Sequence, residues 1–370
     1  MNRRAFLTGA VAATAIGGPI AGALSGVGGV IPEIARKLGP LFPGAASAQA
    51  TTQGRLASLG LAGAWLNSQP LNADALRGKV VLVNFWTYSC INWRRQLPFI
   101  RAWQSRYRDD GLVVIGVHSP EFAFERDIGN IRRAARDMEI DYPIAVDNDH
   151  SVWRAFGNNA WPAIYLIDAQ GMLRHRFLGE GAYDQSEAVI RDLLREAGAT
   201  VGEDKALVKA AGQEVAADWI NIRSPEAYLG FALSVSFTSP GGIVRDSAHL
   251  YRPPASLRLN QWALAGDWTV RSDAAVLNLP GGRLLNRFHA RDLHLVMGMS
   301  TPGAGVRFRV LVDGKLPGDA HGLDVDRDGY GVVDGPRMYT LVRQTGRVAE
   351  RQIDVEFLGA GVGVFAFTFG

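Results

Sequence analysis

From residue 80 onward, short unbroken apolar runs alternate with segments of helical spacing. Val80–Trp86 (VVLVNFW), Leu112–Val117, Ile144–Val146 and Ala163–Ile167 are apolar at nearly every position, the pattern of strands covered on both faces. Between them, Asn92–Tyr107 and Phe124–Met138 are predicted as helices, the second placing Phe124, Ile128, Ile131 and Ala135 on one face. Asp168-Ala169-Gln170-Gly171 reads as the turn of a hairpin leading to a strand at Leu173–Phe177, and Gln185–Glu196 as a closing helix. Strands alternating with helices, then a hairpin and a helix, predict a three-layer α/β domain with a mixed central sheet.

Beyond about residue 225 the helical period disappears. Ser256–Leu264, Leu284–His289, Leu293–Met297, Val306–Val312, Met338–Val342, Gln352–Phe357 and Val364–Phe369 read as strands separated by Gly, Pro and Asp turns. So many short strands in one stretch predict an all-β, jelly-roll-like sandwich. The expected organisation is an export signal over 1–48, a linker over 49–63, the α/β domain over 64–200, a second linker over 201–224 and the β-sandwich over 225–370.

The signal changes how the charge is read. Arg3 and Arg4, followed by Ala5, Phe6 and Leu7, match a twin-arginine export signal, and Ala46-Ser47-Ala48 is a small-x-small cleavage pattern. The uncharged stretch Ala5–Ile31 is long enough for an uncleaved membrane anchor, but its many glycines make it a poor permanent span. The 370 residues carry 39 Lys+Arg against 36 Asp+Glu, a net charge of +3. Removing 1–48 takes away Arg3, Arg4, Arg36, Lys37 and Glu33, which leaves 35 of each sign. A neutral mature chain gives no electrostatic case for nucleic acid. The expected location is extracytoplasmic, periplasmic by the twin-arginine route, with membrane contact only through the signal.

The chain has one cysteine, Cys90, so no intramolecular disulfide forms. It stands where the first strand turns through Thr87-Tyr88-Ser89 into the helix near Asn92. A helix N-terminus favours an anion, and Arg94 and Arg95 add positive charge one turn along, so a stabilised thiolate is expected.

KVVLVNFWTYSCINW followed by RRQLPFIRAW resembles the active-site strand, loop and helix of the thioredoxin superfamily, in its TlpA/DipZ-like branch of exported thiol-disulfide oxidoreductases. Trp161-Pro162, before the strand AIYLID, stands where that superfamily carries a cis-proline beside its active-site cysteines. NQWALAGDW, FHARDLHLVMG and the terminal VFAFTFG resemble the β-sandwich that follows the thioredoxin domain in DipZ-like proteins. The resemblance implies a thioredoxin-like fold for the α/β domain, Cys90 as nucleophile, and protein thiols or disulfides of the cell envelope as partners. Trp161 and Pro162 would then shape a substrate groove, with Trp86, Tyr88, Trp93 and Trp161 walling the thiol, aromatics that could equally be core packing. No cofactor is implied.

The departures narrow the chemistry. The family motif is Cys-x-x-Cys, and this chain reads Cys90-Ile91-Asn92-Trp93, so an indole replaces the resolving thiol. A mixed disulfide on Cys90 then needs an external thiol for release. Asn84 stands on the strand where thioredoxins often place a buried carboxylate, and Glu121 is the candidate substitute base, with a solvated loop carboxylate as the other reading. Thr87-Tyr88-Ser89-Cys90 also fits the Thr-x-x-Cys portion of a peroxiredoxin site, although Val83 stands in place of the preceding proline. Oxidation of Cys90 to sulfenic acid, a one-cysteine peroxidase, is therefore a second alternative. The first alternative is a non-catalytic envelope protein that reuses a degenerate thioredoxin scaffold, with glycan as a candidate partner of the sandwich.

Asp324, Asp326 and Asp328 precede Gly329 like the first half of a calcium loop, but Gly335 stands where the bidentate glutamate is required, so a turn at Asp328-Gly329 is the preferred reading. Trp262, Trp268, Tyr330 and Tyr339 are the aromatics a sugar could stack on, with core packing the preferred reading of the two tryptophans. The seven histidines show no metal spacing.

Overall fold

The computed structural model describes residues 55–299 and 305–370; the export signal and the start of the first linker lie outside them. The α/β part holds a six-stranded sheet in the order β1 (Ala64–Leu66), β4 (Ile144–Val146), β3 (Leu112–His118), β2 (Val80–Trp86), β5 (Ala163–Ile167), β6 (Leu173–Leu178). The β2–β3 and β3–β4 pairs are parallel and the others antiparallel, so the sheet is mixed. All seven β2 residues are buried, because both faces of this central strand are covered. On one face Leu82 and Trp86 pack with α1 (Ile91–Tyr107), α2 (Ile128–Asp137) and, through Ile190 and Leu194, the helix Tyr183–Glu196. On the other, Val81, Val83 and Phe85 pack with Val152 and Phe156 of a short helix, Ser151–Phe156. In chain order these last two are α3 (Ser151–Phe156) and α4 (Tyr183–Glu196).

The predicted helix at Phe124–Met138 is divided. A 3-10 turn occupies Ala123–Arg126, and α2 starts afresh at Ile128, its N-terminus capped by the Asp127 carboxylate on the Asn130 N–H (2.8 Å). Ile131 and Ala135 face the core as expected, while Ile128 is 40% exposed.

The β part is β7 (Ala227–Tyr228), β8 (Ala248–Tyr251), β9 (Trp262–Val270), β10 (Ala275–Leu277), β11 (Arg283–His289), β12 (Asp292–Met299), β13 (Val306–Val312), β14 (Tyr330–Val333), β15 (Arg337–Arg343), β16 (Glu350–Phe357) and β17 (Val362–Phe369). They form one curled sheet, in the order β14-β13-β16-β11-β9-β10-β17-β12-β15, with every pair of strands antiparallel. The fold-over is at Gly266. Trp262–Ala265 pair with β11, whereas Gly266–Thr269 pair with β8 and Trp268–Val270 with β10. Gly266 has φ +96°, a left-handed conformation that a side chain would strain, and it lets one strand serve both faces. The strand predicted at Ser256–Leu264 therefore begins only at Trp262, because Asn260 takes φ +66° and ends the extended run before it. Trp262, Trp268 and Tyr339 are fully buried between the faces, which leaves them no ring face for a sugar.

Candidate functional site at Cys90

Cys90 is the N-cap of α1, extended at φ −77° and ψ 114°, and its carbonyl accepts the Arg94 N–H at 3.0 Å. The loop before it is fixed from outside the helix. Glu125, fully buried, accepts the Ser89 hydroxyl (2.6 Å) and the Ser89 N–H (3.3 Å), and its other oxygen accepts the N–H groups of Glu121 (2.6 Å) and Phe122 (2.9 Å). One carboxylate thus ties the cysteine loop to the 121–126 loop. Burial raises the Glu125 carboxyl, and these hydrogen bonds oppose the rise.

The antiparallel register of β2 and β5 pairs Phe85 with Ala163, which sets Pro162 beside the end of β2 where the cysteine loop begins. The Trp161–Pro162 bond is cis. The Trp161 indole donates to the Ser119 carbonyl at 3.0 Å and lies against Trp153. Trp86 and Tyr88 are not groove walls. Trp86 is wholly inside the core, stacked on Trp93 at 4.4 Å, with Gly116 leaving room for its edge: a Cβ there would come within 2.8 Å of the indole nitrogen. Tyr88 is 4% exposed, lies over His118 and donates to the Phe124 carbonyl at 3.4 Å.

Trp93 fills the position of a second cysteine and is itself fully buried. Its indole N–H donates to Asn84 Oδ1 at 2.8 Å, and the Asn84 amide donates to Gln96 Oε1 (2.7 Å) and the Ala163 carbonyl (3.1 Å). The two departures noted in the sequence are therefore one unit. An amide accepts the indole proton and cannot titrate, so the Trp93–Asn84 pair is neutral and satisfied, while Gln96 Nε2 and Trp86 Nε1 beside it are buried without a partner.

Burial is the largest influence on Cys90 and raises its thiol well above the ordinary value; Glu121 and Glu226 add to the rise, while backbone N–H groups of Trp93 and Asn92 oppose it. Burial overrides the stabilised thiolate expected at this helix start. Arg94 lines a cleft beside α2, and Arg95 interacts electrostatically with Cys90. Arg95 is held by Glu180 (3.4 Å) and the Phe369 carbonyl (3.1 Å), so it fastens α1 to the end of β17.

Besides Glu125, three contributors to the site escaped sequence reasoning. Tyr228, on β7, donates a very short hydrogen bond to Glu121 and lies 3.2 Å from Glu226. A phenol has one proton; once given to Glu121, its oxygen can accept from Glu226 in the protonated form. Glu226 itself is exposed, and its carboxyl is shifted upward beside Tyr228. His118, the last residue of β3, is buried, with the desolvation holding it neutral at about 3. Around these groups Ile91 and Phe122 pack with Val296, Met338 and Ala366, so the β part covers the first turn of α1.

Asp324, Asp326 and Asp328 do not converge. Asp324 pairs with Arg337 (2.7 Å), Asp326 accepts the N–H groups of Asp328 and Tyr330, and among the described residues no group of three metal-ligating side chains is found.

Family models match both parts: residues 62–176 fit the AhpC/TSA family and residues 224–370 a thioredoxin like C-terminal domain. The thiol-disulfide oxidoreductase YkuV of Bacillus subtilis (strain 168) is 33% identical over 131 residues, which are 36% of this chain and 89% of YkuV. The chain belongs to the thioredoxin-like thiol-disulfide oxidoreductase family. Protein DipZ of Mycobacterium tuberculosis (strain CDC 1551 / Oshkosh) is 35% identical over 314 residues, covering 83% of this thioredoxin-like chain. Those residues are 41% of DipZ, so the chain spans about two fifths of that relative's length. A solution structure of an oxidised thioredoxin-like protein is 34% identical, covering 36% of this chain and 90% of its own, with a TM-score of 0.34.

Proposed function

We propose that this protein carries out thiol-disulfide exchange outside the cytoplasm through Cys90 alone, with protein thiols and disulfides of the cell envelope as its partners. The observation that carries this reading is the buried Trp93–Asn84 pair, which replaces the resolving cysteine with a neutral, hydrogen-bonded unit while Cys90 keeps its place at the α1 N-terminus beside a cis-proline. Glu121 takes the Cys90 proton. The thiolate attacks a substrate disulfide, one sulfur forms the mixed disulfide with Cys90, and the other leaves as a thiolate. An external thiolate then attacks the substrate sulfur and returns Cys90 as thiolate, so the two electrons come from that external thiol. Trp161 and Pro162 border the groove for the substrate chain. The paired Arg3 and Arg4 support export.

The test is trapping. Envelope extracts treated with the mature protein, quenched with acid and separated without reductant, yield Cys90-dependent adducts that vanish with reductant and are absent for Cys90→Ser. If the adduct patterns of the parent and Cys90→Ser coincide, the reading fails.

A further inference from the structure

Beside the cysteine loop, where Tyr88 and Arg94 face α2, lies a cleft of about 640 Å³ between the α/β part and the β part. That is within the range of small-ligand pockets, about 300–1,000 Å³. Its three arginines and three aspartates are unevenly paired. Arg337 binds Asp324 at 2.7 Å and Asp334 at 3.2 Å, and nearby Glu214 is taken by Arg101 at 2.6 Å. Arg94 is left over. Among the described residues none accepts a hydrogen bond from its guanidinium, and its Nε is buried without a partner. Arg133 stands exposed at the mouth, with Asp137 one turn further along α2. The remaining lining includes the apolar side chains of Ala134, Met138 and Met338.

We propose that this cleft binds a small organic monocarboxylate, its carboxylate on Arg94 and its apolar body against Met138 and Met338. The guanidinium is a planar fork of donors that matches a carboxylate in two parallel hydrogen bonds. A ligand of a single charge fits better than a phosphate, because Asp137, Asp324 and Asp334 lie around the same cleft and repel a second negative charge. The apolar lining selects a carbon body over a fully hydrated anion. The site is separate from the thiol chemistry and does not depend on it.

Calorimetric titration of the mature protein with benzoate, its neutral isostere benzamide, and inorganic phosphate tests the proposal, with the Arg94 Nε–H signal in NMR spectra as a second readout. Benzoate is expected to saturate and to shift that signal, with benzamide and phosphate at least about 10-fold weaker. Arg94→Gln is expected to weaken benzoate by about 10- to 100-fold, the loss of a charge-assisted pair. Arg133→Gln, at the exposed mouth, weakens it less, and Cys90→Ser leaves it unchanged even if thiol exchange fails. Absence of saturable benzoate binding, equal binding of benzamide, tighter binding of phosphate, or full affinity in a folded Arg94→Gln each overturns the proposal. If Arg94→Gln does not fold, the benzoate–benzamide comparison and Arg133→Gln decide: equal affinity of the two ligands, or no loss in Arg133→Gln, overturns it.

Discussion

Replacing Trp93 with cysteine tests whether the indole is what separates this chain from a dithiol cycle. The substitution removes a fully buried ring stacked on Trp86 and leaves Asn84 Oδ1 without its donor. Large-to-small changes of buried tryptophan cost about 3–5 kcal/mol, and an orphaned buried acceptor about 1–3 kcal/mol. The reduced variant should therefore be less stable by roughly 5 kcal/mol, a large part of a domain stability of about 5–15 kcal/mol. Oxidation of the variant, joining Cys90 to the introduced thiol, closes a four-residue loop and restores about 2 kcal/mol by the chain-entropy relation. Urea unfolding followed by circular dichroism, with and without reductant, measures both terms. The functional half uses a thionitrobenzoate adduct on Cys90. The parent holds the adduct until an external thiol is added, whereas Trp93→Cys releases the coloured thiolate by itself. A reduced Trp93→Cys variant within about 1 kcal/mol of the parent would refute the packing argument. Spontaneous release from the parent would refute the claim that Cys90 needs an external thiol.

Three further outcomes are expected. Glu121→Gln removes one negative charge acting on Cys90, so the thiol pKa falls and iodoacetamide labelling near pH 8 speeds up about 3- to 10-fold; burial keeps the thiol above its ordinary value, and an unchanged pH–rate curve excludes Glu121 as its partner. Arg95→Ala leaves the Phe369 carbonyl without its donor and Glu180 without its cation; Glu180 then takes up a proton, so the cost is about 1–3 kcal/mol in chemical denaturation; a cost below about 0.5 kcal/mol contradicts the fastening role. Desolvation raises Glu180 to about 7 despite Arg95, so its protonated form favours the fold. That contribution is complete below the unfolded value near 4.5 and is lost as pH rises through about 7, roughly 3 kcal/mol in all. Glu180→Gln should flatten this part of the stability–pH curve, and an identical slope in both proteins would rule it out.

Much of the architecture was legible because burial on both faces writes itself as an unbroken apolar run. β2, β4 and β5 begin and end where those runs do, and β3 ends within a residue of its run. The hairpin at Asp168–Gly171 was legible because its turn demands particular residues: Gly171 takes φ +81°, and Asp168 Oδ1 accepts the N–H groups of Gln170 and Met172. β9 was not, since Gly266 and Asn260 control it through backbone angles that apolar spacing does not record. The position of Cys90 at a helix start followed from sequence, but its ionisation did not. Arg94 and Arg95 are neighbours in the chain and point about 100° apart around the helix, so only the packing decides which one the thiol feels.

By itself the sequence determined the lone thiol, the missing resolving cysteine and the two kinds of layer, because these depend on residue identity and local periodicity. The tertiary structure alone decided what surrounds the thiol. Trp93 meets Asn84 because α1 packs back on β2, and Tyr228 reaches Glu121 across 107 residues of chain because β7 pairs with β17. Contacts at that separation cost loop-closure entropy that only the assembled sheets offset, and no local pattern announces them. The same packing left Arg94 in a cleft without a partner, a fact about charge that the composition, balanced overall, gave no means to see.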